Sequence, residues 1–302
     1  MKTSIIFKVT LALAIASLLN SCIEDVKDKY LPKTDPKLVV FCELAAGDTA
    51  VSIYVWRSNP VSYNNPVVTN YQDDSVVDNA TVTLSETSSG NKVVIPFNPY
   101  SRNYVNPSGF TIEEGKTYAL NVSAPGLESV SSLTSVISGE GVTINVTPSL
   151  ITEQYQNSVL LSGVIFDKAN EENYYALQGT VYKTFSYNDG SSTYFNSNSS
   201  ASEKVLVSDK NKDGSELSFR LKIYNGYFEY SMNQEESVID SIVLVVSQLD
   251  VHYYNFLKTM QGQQYGNPFS EADPVYSNIV NGLGILGSTR KQVFKIPLGN
   301  IQ

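Results

Sequence analysis

Short runs rich in β-branched and aromatic residues, each closed by turn chemistry, fill almost the whole chain, and this pattern admits few folds. Lys37–Leu44 (KLVVFCEL) and Ala50–Arg57 (AVSIYVWR) are separated by Gly47-Asp48. Ala80–Glu86 (ATVTLSE) alternates apolar and polar residues, and Ser88-Ser89-Gly90-Asn91 then turns the chain into Lys92–Phe97. Glu114–Leu120 opens another strand, and Pro125-Gly126 has the residues of a type II turn. A period of two places one face of each segment inward, which suits a half-buried strand and not an amphipathic helix. With 20 Tyr and 12 Phe against one Trp, the aromatic usage also favours strands. The expected fold class is all-β.

Two domains are expected in the body. Residues 37–138 read as an N-terminal immunoglobulin-like β-sandwich, because Gly115 shortly precedes Tyr118 and alternating Leu120 and Val122. That pattern resembles a tyrosine corner, in which the phenol bonds back to upstream backbone. Ser138-Gly139-Glu140-Gly141 and Thr147-Pro148 mark a boundary. Residues 139–302 then read as a second β-sandwich or barrel-like domain with strands at Val159–Asp167, Tyr174–Tyr187, Leu217–Tyr224 and Val238–Ser247. Leu217, Phe219, Leu221 and Ile223 point one way, so that strand has one wet face, whereas Ile242–Val246 (IVLVV) reads as a central strand. Asn188–Ser202 reads as an exposed hairpin tip. One short helix is expected near residues 250–261, capped by Asp250, with Val251, Tyr254 and Leu257 along one face.

The N-terminus carries an address. Lys2 and Lys8 precede the apolar run Val9–Leu19, which is too short to span a bilayer but suits a signal-peptide core. Leu19-Asn20-Ser21-Cys22 resembles a bacterial lipobox, which implies cleavage after residue 21 and acylation of Cys22. Loss of Lys2 and Lys8 takes the formal charge from −9 to −11. Acyl chains contribute about 0.8 kcal/mol per buried methylene, so several on one cysteine hold a protein to a leaflet. The membrane is thus one expected partner. Ile23-Glu24-Asp25 resembles the surface-export signal of Bacteroidetes lipoproteins, and residues 22–36, charged and with two prolines, read as a tether. With Cys22 acylated, Cys42 has no thiol partner and reads as a buried small hydrophobe.

Several spellings suggest chemistry, and each has an ordinary reading beside it. Gly282-Leu283-Gly284-Ile285-Leu286-Gly287 matches GxGxxG, but a strand and not a helix is expected at Ser288–Leu298, so no dinucleotide site follows. Asp209-Lys210-Asn211-Lys212-Asp213-Gly214 resembles the first half of a calcium loop. An EF-hand needs Glu at its twelfth position, where this chain has Arg220, so Asp209, Asn211 and Asp213 form either a shorter calcium site or an ordinary turn. No other cofactor is expected. The carboxylate pairs Asp73-Asp74, Glu113-Glu114, Glu171-Glu172 and Glu235-Glu236 are adjacent loop residues that point apart. His252 is the single imidazole, and no GxSxG elbow accompanies it. Tyr182–Tyr187 and Tyr224–Tyr230 offer either a stacking platform or ordinary strand tyrosines. Thr49 and Ser75 sit in Asp-(Ser/Thr)-apolar patterns that match an O-glycosylation acceptor of Bacteroides. A net negative chain lacks the basic footprint of a nucleic-acid binder.

A family resemblance joins these segments. Pro36-Lys37-Leu38-Val39-Val40, Ala80–Leu84, Gly115-Lys116-Thr117-Tyr118, Phe166-Asp167, Asn173-Tyr174-Tyr175 and Tyr253-Tyr254 resemble the Bacteroidetes lipoprotein family catalogued as domain of unknown function 4249. So do Ser208-Asp209 with Asp213-Gly214, and most specifically Asn267-Pro268-Phe269-Ser270 with Tyr276–Gly284. The resemblance implies a surface or periplasm-facing lipoprotein, often encoded beside TonB-dependent outer-membrane receptors, with no activity attached. The expected function is therefore non-catalytic: an outer-membrane accessory or ligand-binding protein, facing outward, with a TonB-dependent receptor as partner. An adhesin or structural surface lipoprotein is the alternative, and a carboxylate-dependent hydrolase the third reading. Pro268, Phe269 and Tyr276, in the long segment Gly262–Gly287, are the expected partner contacts.

Overall fold

A computed structural model describes residues 35–59, 75–107, 109–153, 156–188, 193–210, 212–224, 234–264 and 274–297. Contacts divide the chain into two units, and every strand named below lies in the larger, Lys37–Ser58 with Ser75–Gln302. The fold is all-β with a single helix among the described residues. The strands are β1 (Leu38–Ala45), β2 (Ser52–Arg57), β3 (Thr81–Glu86), β4 (Lys92–Ile95), β5 (Phe97–Asn98), β6 (Asn103–Val105), β7 (Thr117–Ser123) and β8 (Val130–Ser135). They continue as β9 (Thr143–Glu153), β10 (Gln156–Phe166), β11 (Tyr174–Asn188), β12 (Thr193–Ala201), β13 (Val205–Ser208), β14 (Glu216–Tyr224) and β15 (Gln234–Leu249). Helix α1 (Val251–Gln264) and β16 (Leu283–Ile296) complete the order.

A nine-stranded sheet runs β12-β11-β15-β16-β1-β2-β6-β5, with β13 also paired to β11. A four-stranded sheet (β4-β3-β7-β8) and a three-stranded sheet (β14-β10-β9) supply the facing layers. Alternation places Leu38, Val40, Cys42 and Leu44 of β1 inward, where they meet Val82 and Leu84 of β3 and Leu120 and Val122 of β7 in a first core. A second core joins Val159 and Leu161 of β10 and Leu217, Phe219, Leu221 and Ile223 of β14 to Leu177 and Val181 of β11 and Ile242, Leu244 and Val246 of β15. Strand β15 is central, as its two apolar faces predict. Tyr118 is buried, and its phenol oxygen accepts the Glu113 N–H at 2.8 Å, the upstream bond expected of that tyrosine.

The terminal strand is the main departure from expectation. It begins at Leu283, five residues before the expected Ser288, and its first half pairs in parallel with β1, from Val39↔Leu283 to Ala45↔Thr289. Its second half pairs antiparallel with β15, from Leu249↔Thr289 to Ile242↔Ile296. Residues 37–138 therefore do not complete their own sheet, and Ile279 and Leu286 belong to the first core. The GxGxxG spelling lies at this strand's start, with no helix after it. Gly284 has φ +105°, and a Cβ there would stand 2.0 Å from the Val40 carbonyl oxygen. A Cβ on Gly287 would stand 2.6 Å from Tyr253 Cβ, so that glycine makes room for the helix.

Three smaller expectations change. Most of Asn188–Ser202 is edge strand β12, paired to β11 up to Asn188↔Thr193, and residues 189–192 lie outside the described residues. Ser and Asn suffice where a strand needs one partner only. Helix α1 extends to Gln264, and Val251 is exposed; the buried face is Tyr253, Tyr254 and Leu257. The Asp250 cap sets this rotation, its Oδ1 accepting the Tyr253 N–H at 2.7 Å and its carbonyl the Tyr254 N–H.

Glu43, on the β1 face opposite the first core, binds the helix and the terminal strand together. It accepts hydrogen bonds from Tyr253 Oη (2.8 Å) and Thr289 Oγ1 (2.9 Å), and pairs with Lys291. Burial alone would raise its carboxyl, but the bonds from Lys291, Tyr253 and Thr289, with the Lys291 charge, more than offset this and hold it below the ordinary value. A depressed folded-state pKa contributes stability above the unfolded value, near pH 4.5, and that stability is lost as pH falls through the folded one. Urea unfolding between about pH 3 and 6 should show this acid loss in wild type and a flatter profile in Glu43→Gln.

Gly284→Ala forces both a clash and a strained backbone, and should destabilise by at least about 1–3 kcal/mol. Gly262→Ala, exposed on α1 with open space around it, should be neutral or stabilise by up to about 1 kcal/mol. Equal unfolding midpoints for the two variants would contradict this account of β16.

Candidate functional site: an acidic pocket where two loops meet

Two loops cross at one end of the second core. Phe166 ends β10, and the chain passes through Asp167–Asn173 into β11; Ser208 ends β13, and the chain passes through Asp209–Ser215 into β14. Both loops therefore travel between the nine-stranded and the three-stranded sheet. Asn173 and Asp209 continue the β11–β13 ladder, the Asp209 N–H donating to the Asn173 carbonyl at 3.2 Å. Positive φ at Asn170 (71°) and Gly214 (69°) gives each loop its reversal.

This crossing brings Asp167, Asp209 and Asp213 together, with one carboxylate oxygen from each within 4.8 Å of the others. Each carboxylate is oriented by its neighbours. Asp213 accepts the Asn170 N–H on both oxygens, at 2.8 and 3.0 Å. Asp167 accepts Gly214 N–H at 3.1 Å on Oδ2 and Tyr175 Oη at 3.0 Å on Oδ1. Asp209, only 2% exposed, accepts Asn173 N–H at 2.9 Å on Oδ2, while its Oδ1 is buried without a hydrogen-bond partner. Burial raises the Asp209 carboxyl above its ordinary value, opposed by the Asn173 N–H and reinforced by the charges of Asp167 and Asp213. Burial and the Asp167 carboxylate also raise the Tyr175 phenol, which stays protonated as a donor.

The cluster opens on a cavity of about 480 Å³ lined by Asn170, Glu171, Glu172, Asp209, Lys210 and Asp213. Glu171 is taken by Lys168 and Glu172 by the Tyr174 hydroxyl. A second cleft of about 500 Å³ shares Glu171 with the first, takes in Asp167, and runs between Ser138–Thr143 and Gln248. Among the described residues, no Lys or Arg forms an ion pair with the three aspartates. All-oxygen, closely spaced and irregular, the set suits a hard cation better than acid–base work across a sugar, which separates its carboxyls by about 5–9 Å.

Of the expected metal ligands, Asp209 and Asp213 meet here, whereas Asn211 lies outside the described residues. Sequence reasoning does not place Asp167 beside them. The only signal for it was the shared resemblance of Phe166-Asp167 and Ser208-Asp209, which carries no spatial information. Cys22, Pro268 and Phe269 also lie outside the described residues. Thr49 is exposed in the bend after β1; Ser75 is half-buried, its carbonyl accepting Arg57 N–H. Cys42 is buried, and burial, followed by the charges of Glu43 and Asp48, raises its thiol well above the ordinary range. Tyr224 is exposed with Lys222 Nζ 5.1 Å from its ring centre.

The described part of the expected contact loop is tightly held. Tyr276 is half-buried, its hydroxyl 2.6 Å from His252 Nδ1 and its N–H donating to Thr259 Oγ1 at 2.9 Å. Asn278 bonds both the N–H and the carbonyl of Leu286, and Val280 bridges Ser131. Ile279 is buried in the first core, so this stretch covers that core.

These features define an all-β protein with packed sheets and an acidic pocket at the inter-sheet loops. The chain belongs to the family described as Domain of unknown function (DUF4249), whose model matches residues 24–294. No curated protein matches it.

Tyr276→Phe removes one partly buried hydrogen bond and should cost about 0.5–1.5 kcal/mol in denaturant unfolding, with the slope unchanged.

Proposed function

We infer that this protein is a non-catalytic, lipid-anchored accessory of the outer membrane, held by acyl chains on Cys22, facing outward, and serving a TonB-dependent receptor by binding or passing on a ligand. The observation that carries this reading is the order of segments: an apolar signal core, Leu19-Asn20-Ser21-Cys22, the tether to Pro36, and then an all-β body. At roughly 3.3 Å per residue, the tether spans several tens of ångströms, which frees a body of this size from the membrane surface. Confinement to one leaflet raises the effective concentration of the body at any receptor there, so a weak interface suffices. The link to a receptor rests on the family resemblance. The side chains favour a binding role over hydrolysis: His252 is committed to Tyr276, and the aspartates are held in place by backbone N–H groups. Among the described residues, no helix is long and apolar enough to cross a membrane.

Cys22→Ala should leave an unprocessed or soluble species in membrane fractionation; a mutant that stays bound overturns the anchor. Detergent extracts of wild type should copurify an outer-membrane receptor, and this association should survive removal of the acyl chains. Failure to recover any receptor would overturn the accessory role while leaving the anchor intact.

A further inference from the structure

We propose that Asp167, Asp209 and Asp213 bind a calcium ion that clasps the two inter-sheet loops. Oxygens on one calcium ion lie about 2.3–2.6 Å from it, so ligands of a single ion are at most about 5 Å apart. The three carboxylates, within 4.8 Å of one another, fall inside that limit without movement.

Proximity alone would not point to an ion, because exposed acidic groups gather on many surfaces. The independent observation is Asp209 Oδ1. A buried carboxylate oxygen with no donor is unfavourable, and two further carboxylates close to the same side chain make it more so. The remaining oxygens of the cluster are oriented by Asn170, Asn173 and Gly214 N–H groups and by Tyr175, so the set is fixed before any ligand arrives. Lys210 lines the same cavity, but no lysine or arginine among the described residues forms an ion pair with the three aspartates.

The donor chemistry selects the ion. Zinc sites are built around His or Cys, with carboxylates as additional ligands, and this site has neither His nor Cys. Magnesium demands near-ideal octahedral geometry and retains water, whereas calcium accepts irregular sets of six to eight oxygens. Solvent in the cavity of about 480 Å³ can complete the shell. Asp167 follows a strand of the three-stranded sheet and Asp209 a strand of the nine-stranded sheet, so one ion ties both layers of the second core at this end.

The test uses the full chain in detergent, stripped with chelator, then titrated with calcium chloride by calorimetry and followed by thermal unfolding at constant ionic strength. One calcium should bind with a dissociation constant of about 10⁻⁴–10⁻³ M, typical of extracellular modules, and raise the unfolding temperature by several degrees. Magnesium chloride at equal concentration should raise it less. Asp209→Asn should abolish the calcium response and, without calcium, unfold at a higher temperature than wild type, because the crowded charge is gone. Should that variant not fold, the exposed Asp213→Asn keeps the test open and should weaken binding at least about tenfold. Glu172→Gln, which lines the same cavity, should respond like wild type. Absence of calcium binding by wild type, an equal response to magnesium, or a full calcium response in either aspartate variant overturns the proposal.

Discussion

The parallel pairing of β1 with the first half of β16 is the constraint on which the rest of the molecule rests. It joins residues near the start of the body to residues near its end, a contact that yields nothing until the intervening chain is ordered. Both layers depend on it. Leu286 enters the first core from this segment, and Ile296 at the other end of the same strand enters the second. Thr289 is the hinge of the arrangement, since it faces Ala45 on one side and Leu249 on the other.

A strand paired on one edge over its first half leaves backbone groups to satisfy on the other. Here side chains act as the missing strand. The Asn278 carboxamide accepts from the Leu286 N–H and donates to the Leu286 carbonyl, copying a ladder pair. Two residues on, Ser288 donates to Asp250 Oδ2, and its carbonyl accepts the Asp250 N–H. The spacing of two is that of outward-facing backbone groups in a strand. Asp250 thus caps α1, terminates the open edge of β16 and, through Thr134 Oγ1 at 2.7 Å, reaches β8. Among the described residues, the helix exists where it does because one aspartate meets these demands together.

This explains what was legible from residues alone. Period-two alternation reported local geometry, so β1, β7 and β14 were visible, as were the Asp250 cap and the Tyr118 phenol bond, which span a few residues. The glycines of 282–287 were visible but misleading as a spelling, because their purpose is close approach to Val40, Leu38 and Tyr253, partners far away in the chain. Asn278 stood in the most family-specific stretch, yet its role as a surrogate strand has no local signature. Asp167 failed to appear beside Asp209 and Asp213 for the same reason: only the return of the chain between sheets brings them together. Local periodicity carries the elements, and long-range closure carries the site.

The placement of polar groups follows from the same topology. Strands β10 and β14 belong to one layer and β11 and β13 to the other, and the chain crosses between layers twice at one end of the second core. Crossing loops need reversals, which Asn170 and Gly214 provide, and their backbone donors must find acceptors as the ladders end. Carboxylates at 167, 209 and 213 meet that need, each taking a backbone N–H from a loop it does not begin or from the strand beside it. Carboxylates gathered this closely disfavour one another's charge, and Asp209 lies too deep for water to screen it fully. Loop closure and charge repulsion are therefore set against each other at this end, whereas at the β1–β16 pairing backbone geometry and packing act in the same direction. The first and last strands of the body are thus joined by ladder and packing together, whereas the loops that cross between its layers hold their charge in balance with their closure.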